Sequence, residues 1–490
     1  MPDIPHLSLG GFVLKEDLHY YYLVWVAAIL MLIFSLNLVG SRMGRALRSM
    51  HSLFCGSEEA AQSLGVDTTS YKSKVFIISA VYASIAGSIF AYYMTVVNPS
   101  PFDYWFSILV LIMAIVGGIS SPWGAFLGAG LVVGGREILR EFAPRVAGGA
   151  TGAYELITFG IILIAVLLFL PQGLASLRRP RPSQARMNAL PAHPDRLGAG
   201  GQTLQPIGHG HLLPSPRQSR PEGEAMPDDS RQPLLQLRGV SKTFGGLAAL
   251  RDVSFDVPRH SIVGLIGPNG AGKTTLFNLI TGFLRPCQGE IYFKDRRLDR
   301  LPPHAIAALG IARTFQNRQL FANMSVVANV MVGRHARTKA GFLGTGLSLP
   351  RARAEEQVIF EAAMARLAAV GLEEKALAYP QSLSLGQQKL VALARAQAME
   401  PEILLLDEPA GGLSASEIEE LGRWILHTRE GGVSILLVEH VMDLVMDIAD
   451  WVVVLSHGQK IAEGTPAQMQ ADEQVIAAYL GGTIGGRELE

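Results

Sequence analysis

Residues 267–274 of this chain, GPNGAGKT, could bind a phosphate chain. They have the P-loop spacing G-x-x-x-x-G-K-[ST], and they stand between the strand-like run SIVGLI and the helix-like run TLFNLITG. Glycines let backbone N–H groups converge on phosphate oxygens, and a helix N-terminus adds a favourable dipole. Lys273 is expected to neutralise the β- and γ-phosphates, and Thr274 is expected to offer its hydroxyl to Mg²⁺. The segment therefore predicts a site for a nucleoside triphosphate with Mg²⁺.

Two later strand-like runs end in side chains that could complete this chemistry. EILLLDEP (402–409) is apolar up to two carboxylates, of which Asp407 could enter the Mg²⁺ shell and Glu408 could polarise an attacking water. VSILLVEH (433–440) ends with His440, which could donate a hydrogen bond to a γ-phosphate. A lone histidine at a strand end is usually structural, so only its place in this series indicates a catalytic role.

A second segment could also bind an anion. In QSLSLGQQ (381–388) Ser384, Gly386 and Gln387 lead directly into an amphipathic helix, whose N-terminal amides can bind phosphate. One nucleotide does not obviously need both this terminus and the P-loop. The economical explanation is that this terminus closes over the nucleotide of another subunit.

The elements that must position these residues fall into two kinds. At 490 residues the chain is expected to form two or more domains. Its charged fraction of 17% is low and its mean hydropathy of +0.27 is high, which favours a part of the chain in lipid. The uncharged runs 23–39, 75–97 and 156–177 are each long enough for one span, and the run 105–135 is interrupted by GGISSPWG. We predict about five spans in residues 1–177, with two shorter spans or one broken helix at that interruption.

Small and basic residues indicate how the helices of the membrane half, which we define as residues 1–177, pack and are oriented. Gly124 and Gly128, and likewise Gly130 and Gly134, have a spacing that lets helices pack closely in lipid. Arginines and lysines concentrate in 41–74 and just after 177, which predicts that both segments are cytoplasmic. No basic region precedes the first apolar run, so we do not expect a cleaved signal peptide.

Composition argues against several classes of function and structure and indicates a linker. The 42 basic and 42 acidic residues balance, so no electrostatic footprint for nucleic-acid binding is present. Two cysteines are too few for a disulfide framework or a zinc site. Residues 178–233 are rich in Pro, Gly, Arg, Gln and Ser without an apolar period, and they are expected to form a flexible linker.

Residues 234–482 as a whole resemble an ATP-binding cassette subunit, with five motifs in the family's order. The resemblance implies that Phe244 stacks on adenine, that Gln316 in TFQ contacts the nucleotide and Mg²⁺, that 383–387 is the signature, that Glu408 is the catalytic carboxylate and that His440 is the switch histidine. The Walker A residues, which also bind the nucleotide, are Gly267, Pro268, Asn269, Gly270, Ala271, Gly272, Lys273, Thr274 and Thr275. The fold class implied is a polytopic all-α membrane domain joined to an α/β P-loop NTPase of the cassette type, with ATP and Mg²⁺ as ligands.

Longer stretches are similar to one subfamily, the branched-chain amino acid transporters. ARTFQNRQLFANMSVVANVMVGRHAR, GFLGTGLSLPRARAEE, LSLGQQ and VIAAYLGG are similar to its ATPases, and GRALRSMHSLFCGSEEAAQSLGVDTTSYK, GGISSPWGAFLGA and LPQGL resemble its permease. Met226 lies where a free-standing ATPase would begin, so the chain is expected to be two fused subunits: permease 1–177, linker 178–233, cassette 234–482 and tail 483–490. Relative to the family the permease is expected to lack its N-terminal portion, and Ser414 replaces the acidic residue common in the D-loop.

The resemblance also implies a role and partners. The pattern E-A-A-x-x-x-G, from Glu59 to Gly65, is expected to be a coupling helix that docks on the cassette near Gln316. Expected partners are a second permease subunit, a second ATP-binding subunit or a second copy of this one, a periplasmic substrate-binding protein and the inner-membrane bilayer, but not nucleic acid. The expected function is ATP-driven uptake of branched-chain amino acids. Two alternatives stay open: uptake of urea or short amides, and a cassette that is only tethered by a membrane half that does not conduct.

Overall fold

The computed structural model describes residues 8–9, 12–13, 16–50, 57–95, 104–119, 121–147, 168–169, 173–175, 233–314, 320–338 and 341–480. These divide into two compact units. The first unit comprises 1–39 and 73–196, and the second comprises 40–72 and 197–490. The segment 40–72, which the sequence assigns to the membrane half, therefore belongs to the same unit as the cassette.

The first unit is built on long apolar helices. Helices α1 (Asp17–Gly40) and α4 (Thr68–Met94) are each long and apolar enough to cross a bilayer. Helices α5 (Tyr104–Gly117) and α6 (Pro122–Ala147) bend by 119° at a short break, so the described residues contain two candidate spans, or three if the bent pair counts as one. The predicted break at GGISSPWG is confirmed. The span predicted at 156–177 lies outside the described residues except for 168–169 and 173–175.

Both long helices begin before their predicted apolar runs, which started at residues 23 and 75. The extension of α1 carries tyrosines, and amphipathic aromatic rings of this kind suit a membrane–water interface. Tyr20 donates a hydrogen bond to the Tyr92 carbonyl at 3.2 Å, and Tyr82 donates to the Met31 carbonyl at 3.1 Å. These contacts join α1 to α4 within the first unit. A short hairpin, β1 (Ser8–Leu9) with β2 (Phe12–Val13), precedes them.

Close packing of α5 on α6 depends on glycine. A Cβ at Gly128 would lie 1.9 Å from the Met113 carbonyl oxygen, and one at Gly117 would lie 1.8 Å from the Gly124 carbonyl oxygen. The predicted pair Gly124 and Gly128 thus serves close helix packing. For the second predicted pair no such contact is seen among the described residues, where a Cβ at Gly130 or Gly134 would have no neighbour within 4 Å.

The second unit begins with two short helices, α2 (Arg42–Met50) and α3 (Glu58–Ser63). Ser57 caps α3 by accepting a hydrogen bond from the Ala60 amide, and Gly65 follows with a φ of +83°. The predicted short helix stopped near a glycine is confirmed.

The cassette contains two sheets in its described residues. A four-stranded antiparallel sheet has the order β4-β3-β6-β7, and a six-stranded sheet has the order β12-β11-β5-β10-β9-β8, parallel except for β12. The strands are β3 (Pro233–Phe244), β4 (Leu247–Pro258), β5 (Ile262–Ile266), β6 (Gln288–Phe293), β7 (Arg296–Arg297), β8 (Ile311–Arg313), β9 (Ile403–Asp407), β10 (Ser434–Val438), β11 (Trp451–Ser456) and β12 (Gln459–Gly464). The helices are α7 (Lys273–Ile280), α8 (Pro303–Ala308), α9 (Val326–Gly333), α10 (Phe342–Gly346), α11 (Pro350–Ala369), α12 (Leu385–Ala398), α13 (Ala415–Glu430), α14 (Met442–Ile448), α15 (Pro466–Ala471) and α16 (Glu473–Leu480).

The central strands β5, β9 and β10 are buried at every position. Continuous Ile, Val and Leu runs of this length are typical of parallel strands covered on both faces. Val438 is paired with both Asp407 and Leu265, so the carboxyl ends of the three strands meet at one edge of the sheet. Ligands of open α/β sheets bind at such an edge.

A separate hydrophobic cluster holds α9, α11 and α12 together. It includes Val330 of α9, Ile359 of α11 and Val391 of α12, and it is distinct from the clusters on the two faces of the six-stranded sheet. We call these three helices the helical layer. They carry the signature at the start of α12, whereas the P-loop belongs to the sheet.

Candidate nucleotide-binding site

The P-loop connects the end of β5 to the start of α7, as predicted. Gly267, Gly270 and Gly272 have φ values of +150°, +81° and +101°, which a residue with a Cβ rarely adopts. A Cβ at Gly267 would also lie 2.0 Å from the Leu455 carbonyl oxygen. All three glycines are thus favoured by backbone conformation, and Gly267 is also required for space.

The Lys273 side chain bonds back to the backbone of this loop. Its buried ammonium donates hydrogen bonds to the carbonyls of Gly267 at 2.6 Å and Pro268 at 3.0 Å. Burial lowers the pKa of Lys273, and the carboxylates of Glu408 and Asp407 act in the opposite direction. A cation in this setting can exchange its carbonyl partners for phosphate oxygens. Thr274, the next residue, is exposed.

Asp407 lies at the tip of β9 with only 2% of its surface exposed. Its Oδ2 accepts a hydrogen bond from Arg313 of β8 at 2.9 Å, and Arg313 also donates to Asn278 at 2.6 Å. Burial raises the pKa of the Asp407 carboxyl, and the guanidinium of Arg313 offsets part of that effect. The other oxygen, Oδ1, is buried without a hydrogen-bond partner among the described residues. Such an orphaned oxygen is suited to a metal ion or its bound water.

Glu408 and His440 meet at the same edge of the sheet. The Oε1 of Glu408 lies 2.7 Å from the Nε2 of His440. Glu408 has a φ of +49°, an unfavourable conformation for a residue with a side chain, and such strain often accompanies functional sites. The structure thus brings together two residues that are 32 positions apart and that the sequence predicted to act on one nucleotide.

Glu439 is a buried carboxylate that the sequence reasoning missed. It accepts hydrogen bonds from the backbone N–H of Ala410 and, at 3.0 Å, from that of His440. Burial raises the pKa of Glu439, whereas these amides and the Val441 amide lower it. The residue ties the loop after Glu408 to the segment that carries His440. Its only sequence signal was its place beside the histidine, at the end of an apolar strand.

Two aromatic residues bear on the predicted nucleotide site. Phe244, predicted to stack on adenine, is 46% exposed at the end of β3, with the Lys242 ammonium 5.3 Å from its ring centroid. Tyr479 of α16 was not predicted; burial raises its pKa to about 12, and the Gly267 backbone moderates the shift. Tyr479 belongs to the VIAAYLGG stretch, which could have drawn attention to it. Gln316, predicted to bind nucleotide and Mg²⁺, lies outside the described residues.

The signature residues form the N-terminus of α12. Ser384 caps the helix and forms a capping box with Gln387. A Cβ at Gly386 would lie 2.1 Å from Oε1 of Glu417, which forms a second capping box with Ser414. Lys389 donates to the Pro409 carbonyl at 2.6 Å and to the Gly411 carbonyl. The signature therefore packs against the loop that follows Glu408 in its own chain.

The predicted coupling segment docks on the cassette. Ala60 and Leu64 are 1% and 2% exposed and belong to the same hydrophobic cluster as Ala307 of α8, Ala312 of β8 and Phe321. Ala312 and Phe321 flank the segment 315–319 that contains Gln316.

The residues present fit a Mg²⁺ ion that is completed by nucleotide phosphates. No group of three or more His, Cys, Asp or Glu able to hold a metal occurs in the part of the chain that the structure describes. Of the three predicted Mg²⁺ ligands, the structure describes Asp407, with its orphaned Oδ1, and Thr274. Mg²⁺ commonly takes one or two protein ligands together with substrate phosphates.

Comparison with known proteins gives three family matches. The family described as "ABC transporter" matches residues 250–411, and the family described as "Branched-chain amino acid transport system / permease component" matches residues 7–167. The family described as "Branched-chain amino acid ATP-binding cassette transporter" matches residues 459–483. The matches cover both halves and the C-terminal end of the cassette.

Individual relatives match the cassette half. The high-affinity branched-chain amino acid transport ATP-binding proteins LivG of Salmonella typhimurium and BraF of Pseudomonas aeruginosa are each 42% identical over 251 residues, which are 51% of this chain and 98% of each relative. A crystal structure of a nucleotide-free ATP-binding cassette from an ABC transporter is 31% identical, with a TM-score of 0.45, over 50% of this chain and 98% of that one.

Proposed function

This chain belongs to the ATP-binding cassette transporters of branched-chain amino acids and joins a permease domain to an ABC-type ATPase, and we propose that it drives uptake of these amino acids across the inner membrane. The proposal is carried by the convergence of Lys273, Asp407, Glu408 and His440 at one sheet edge, in a cassette on which the coupling helix docks. The proposed boundaries are 1–177 for the permease, 178–233 for the linker, 234–482 for the cassette and 483–490 for the tail.

The proposed site residues act as follows. Lys273 and the amides of 267–275 hold the triphosphate, and Phe244 stacks on the base. Mg²⁺, held by Asp407, Thr274 and Gln316, would neutralise phosphate charge. Glu408 polarises the attacking water as a general base, and its 2.7 Å contact with His440 fixes the carboxylate in position. His440 contacts the γ-phosphate with the same imidazole and so reports whether it is present.

Two cassettes, from a second copy or a second ATP-binding subunit, would each close over the other's nucleotide. Ser384, Gly386 and Gln387 stand at a helix N-terminus that can bind the partner's phosphates. Closure would then move α3 and change the access of the membrane helices. A second permease and a periplasmic substrate-binding protein complete the proposed transporter.

The docked coupling helix favours this function over a mere tether. A tether needs no contact with the cassette, whereas Ala60 and Leu64 are buried in it. Burial of apolar residues from a segment between two candidate spans is expected where motion must be transmitted.

Competition for uptake tests the substrate class. Cells lacking the gene and restored with the full chain should take up labelled leucine, and excess isoleucine or valine should suppress that uptake while urea or acetamide should not. Uptake of labelled urea that leucine does not affect would contradict the proposed substrate and support the amide alternative.

A further inference from the structure

Helix α2 makes a contact with the cassette that is separate from the coupling helix. The Arg45 guanidinium forms two hydrogen bonds with the Glu356 carboxylate of α11, one of them between Nη2 and Oε2 at 3.1 Å. The two residues are 311 positions apart, one between candidate spans and the other in the cassette. Planar, bidentate pairing of this kind fixes the orientation of both partners.

The contact is largely buried. Only 5% of the Arg45 side chain and 32% of the Glu356 side chain is exposed. Met43, Ala46 and Ser49 are buried on the same helix, which contacts α9. A buried charge needs its partner, because the desolvation cost remains when the partner is lost. Buried pairs of this kind are better at enforcing one arrangement than at adding stability.

Helices α2 and α3 rest on different parts of the cassette. Helix α3 contacts α8, and its Ala60 and Leu64 join a cluster on one face of the six-stranded sheet that also includes Val332 of α9. Helix α2 contacts α9 and α11, which are two of the three members of the helical layer. Only Ser41 separates α2 from α1, and only 64–67 separate α3 from α4. Each candidate span thus continues into its own docking helix.

We propose that α2 is a second docking helix, and that the Arg45–Glu356 pair links α1 to α11 of the helical layer, whereas α3 links α4 chiefly to α8 and the adjoining face of the sheet. A movement of the helical layer against the sheet then changes the relation between the two spans. The transport consequence rests on the proposed function, but the docking itself does not.

Amide hydrogen exchange of the purified full chain tests the docking. Arg45→Glu and Glu356→Arg should each speed exchange of the amides in 42–50 by about tenfold or more, since local opening no longer breaks a native pair. The double reversal should return exchange to within about twofold of the original chain. The matched control is Glu361→Arg on the same helix α11, whose carboxylate is exposed and accepts from Gln357, and it should leave exchange unchanged.

The same variants in cells test the coupling. Each single reversal should lower leucine uptake by about tenfold while ATP hydrolysis persists, and the double reversal should restore uptake. Combining Arg45→Glu with Glu361→Arg should not restore it.

The outcomes separate the two claims. The docking pair would be overturned if amide exchange in 42–50 is unchanged in both single variants. It would also be overturned if exchange is faster in the single variants and stays fast in the double variant. Altered exchange with normal uptake would overturn its role in coupling. If the original chain takes up no leucine, the proposed function fails, and the exchange experiment still decides the docking.

Discussion

At the residue scale, the site depends on a pair of side chains whose positions are set by two neighbouring strands. Glu408 follows β9 and His440 follows β10, and strand pairing brings their side chains to 2.7 Å. General-base positioning of this kind typically contributes 10²–10⁴-fold to a rate. The proposed role makes the Glu408 carboxylate necessary for hydrolysis, whereas the P-loop is expected to hold nucleotide without it.

Glu408→Gln should therefore lower ATP hydrolysis at least about 100-fold and leave ATP binding within about twofold of the original. A phosphate-release assay beside a nucleotide-binding assay measures both. As a control, Glu402→Gln changes a partly exposed carboxylate that precedes the other end of β9 and pairs with Lys294. This variant should retain hydrolysis. Normal turnover in Glu408→Gln would remove the proposed role of Glu408.

Glu439 is expected to act by positioning its neighbours. Glu439→Ala leaves buried amides of Ala410 and His440 without their acceptor, which should lower the free energy of unfolding by about 2 kcal/mol and also slow hydrolysis. Glu430→Ala, at the exposed end of α13, is the control and should change stability by less than about 0.5 kcal/mol. Denaturant titration gives both values, and equal stabilities would show that Glu439 is dispensable.

At the element scale, the N-termini of α12 and α13 lie against each other, so a shift of the signature is expected to shift the D-loop as well. Gly386 leaves room for the Glu417 side chain. Lys389 of α12 donates to two carbonyls of the loop that follows Glu408 and leads into α13. Because Ser414 caps α13 together with Glu417, the unusual residue at the D-loop position has a structural part in this contact.

Gly386→Ala should displace Glu417 from its capping box and lower the free energy of unfolding by about 1 kcal/mol. It should also reduce ATP hydrolysis, since the signature helix shifts from its place. Gly246→Ala is the control, because a Cβ there meets nothing within 4 Å. If both alanine variants match the original chain in unfolding and hydrolysis, the close contact of α12 with α13 is not significant.

How far the sequence could predict these features depends on the range of the interactions. The P-loop, its flanking strand and helix, and the short helix before Gly65 follow from local patterns, and they were predicted correctly. The Arg45–Glu356 pair could not be predicted, because nothing local distinguishes one arginine or glutamate from its neighbours. The same holds for Arg313, whose role depends on where β8 lies beside β9.

At the scale of the whole molecule, the chain boundary between permease and ATPase does not coincide with the structural one. Residues 40–72 lie between two candidate spans in sequence, yet they form one compact unit with the cassette. Fusion of the two subunits therefore places in one chain the permease segment 40–72 and the cassette against which it packs. The glycine-dependent packing of α5 on α6 was predictable from spacing, whereas this division was not.

The central claim is that ATP turnover by the cassette drives amino acid uptake through the membrane half of the same chain. The most direct measurement is uptake of labelled leucine in cells lacking the gene, restored with the full chain, with residues 226–490 alone, or with full-length Glu408→Gln. We predict uptake with the full chain only. Equal uptake with 226–490 alone would contradict the claim and leave the membrane half as a tether, and uptake with Glu408→Gln would show that hydrolysis at this site does not drive transport.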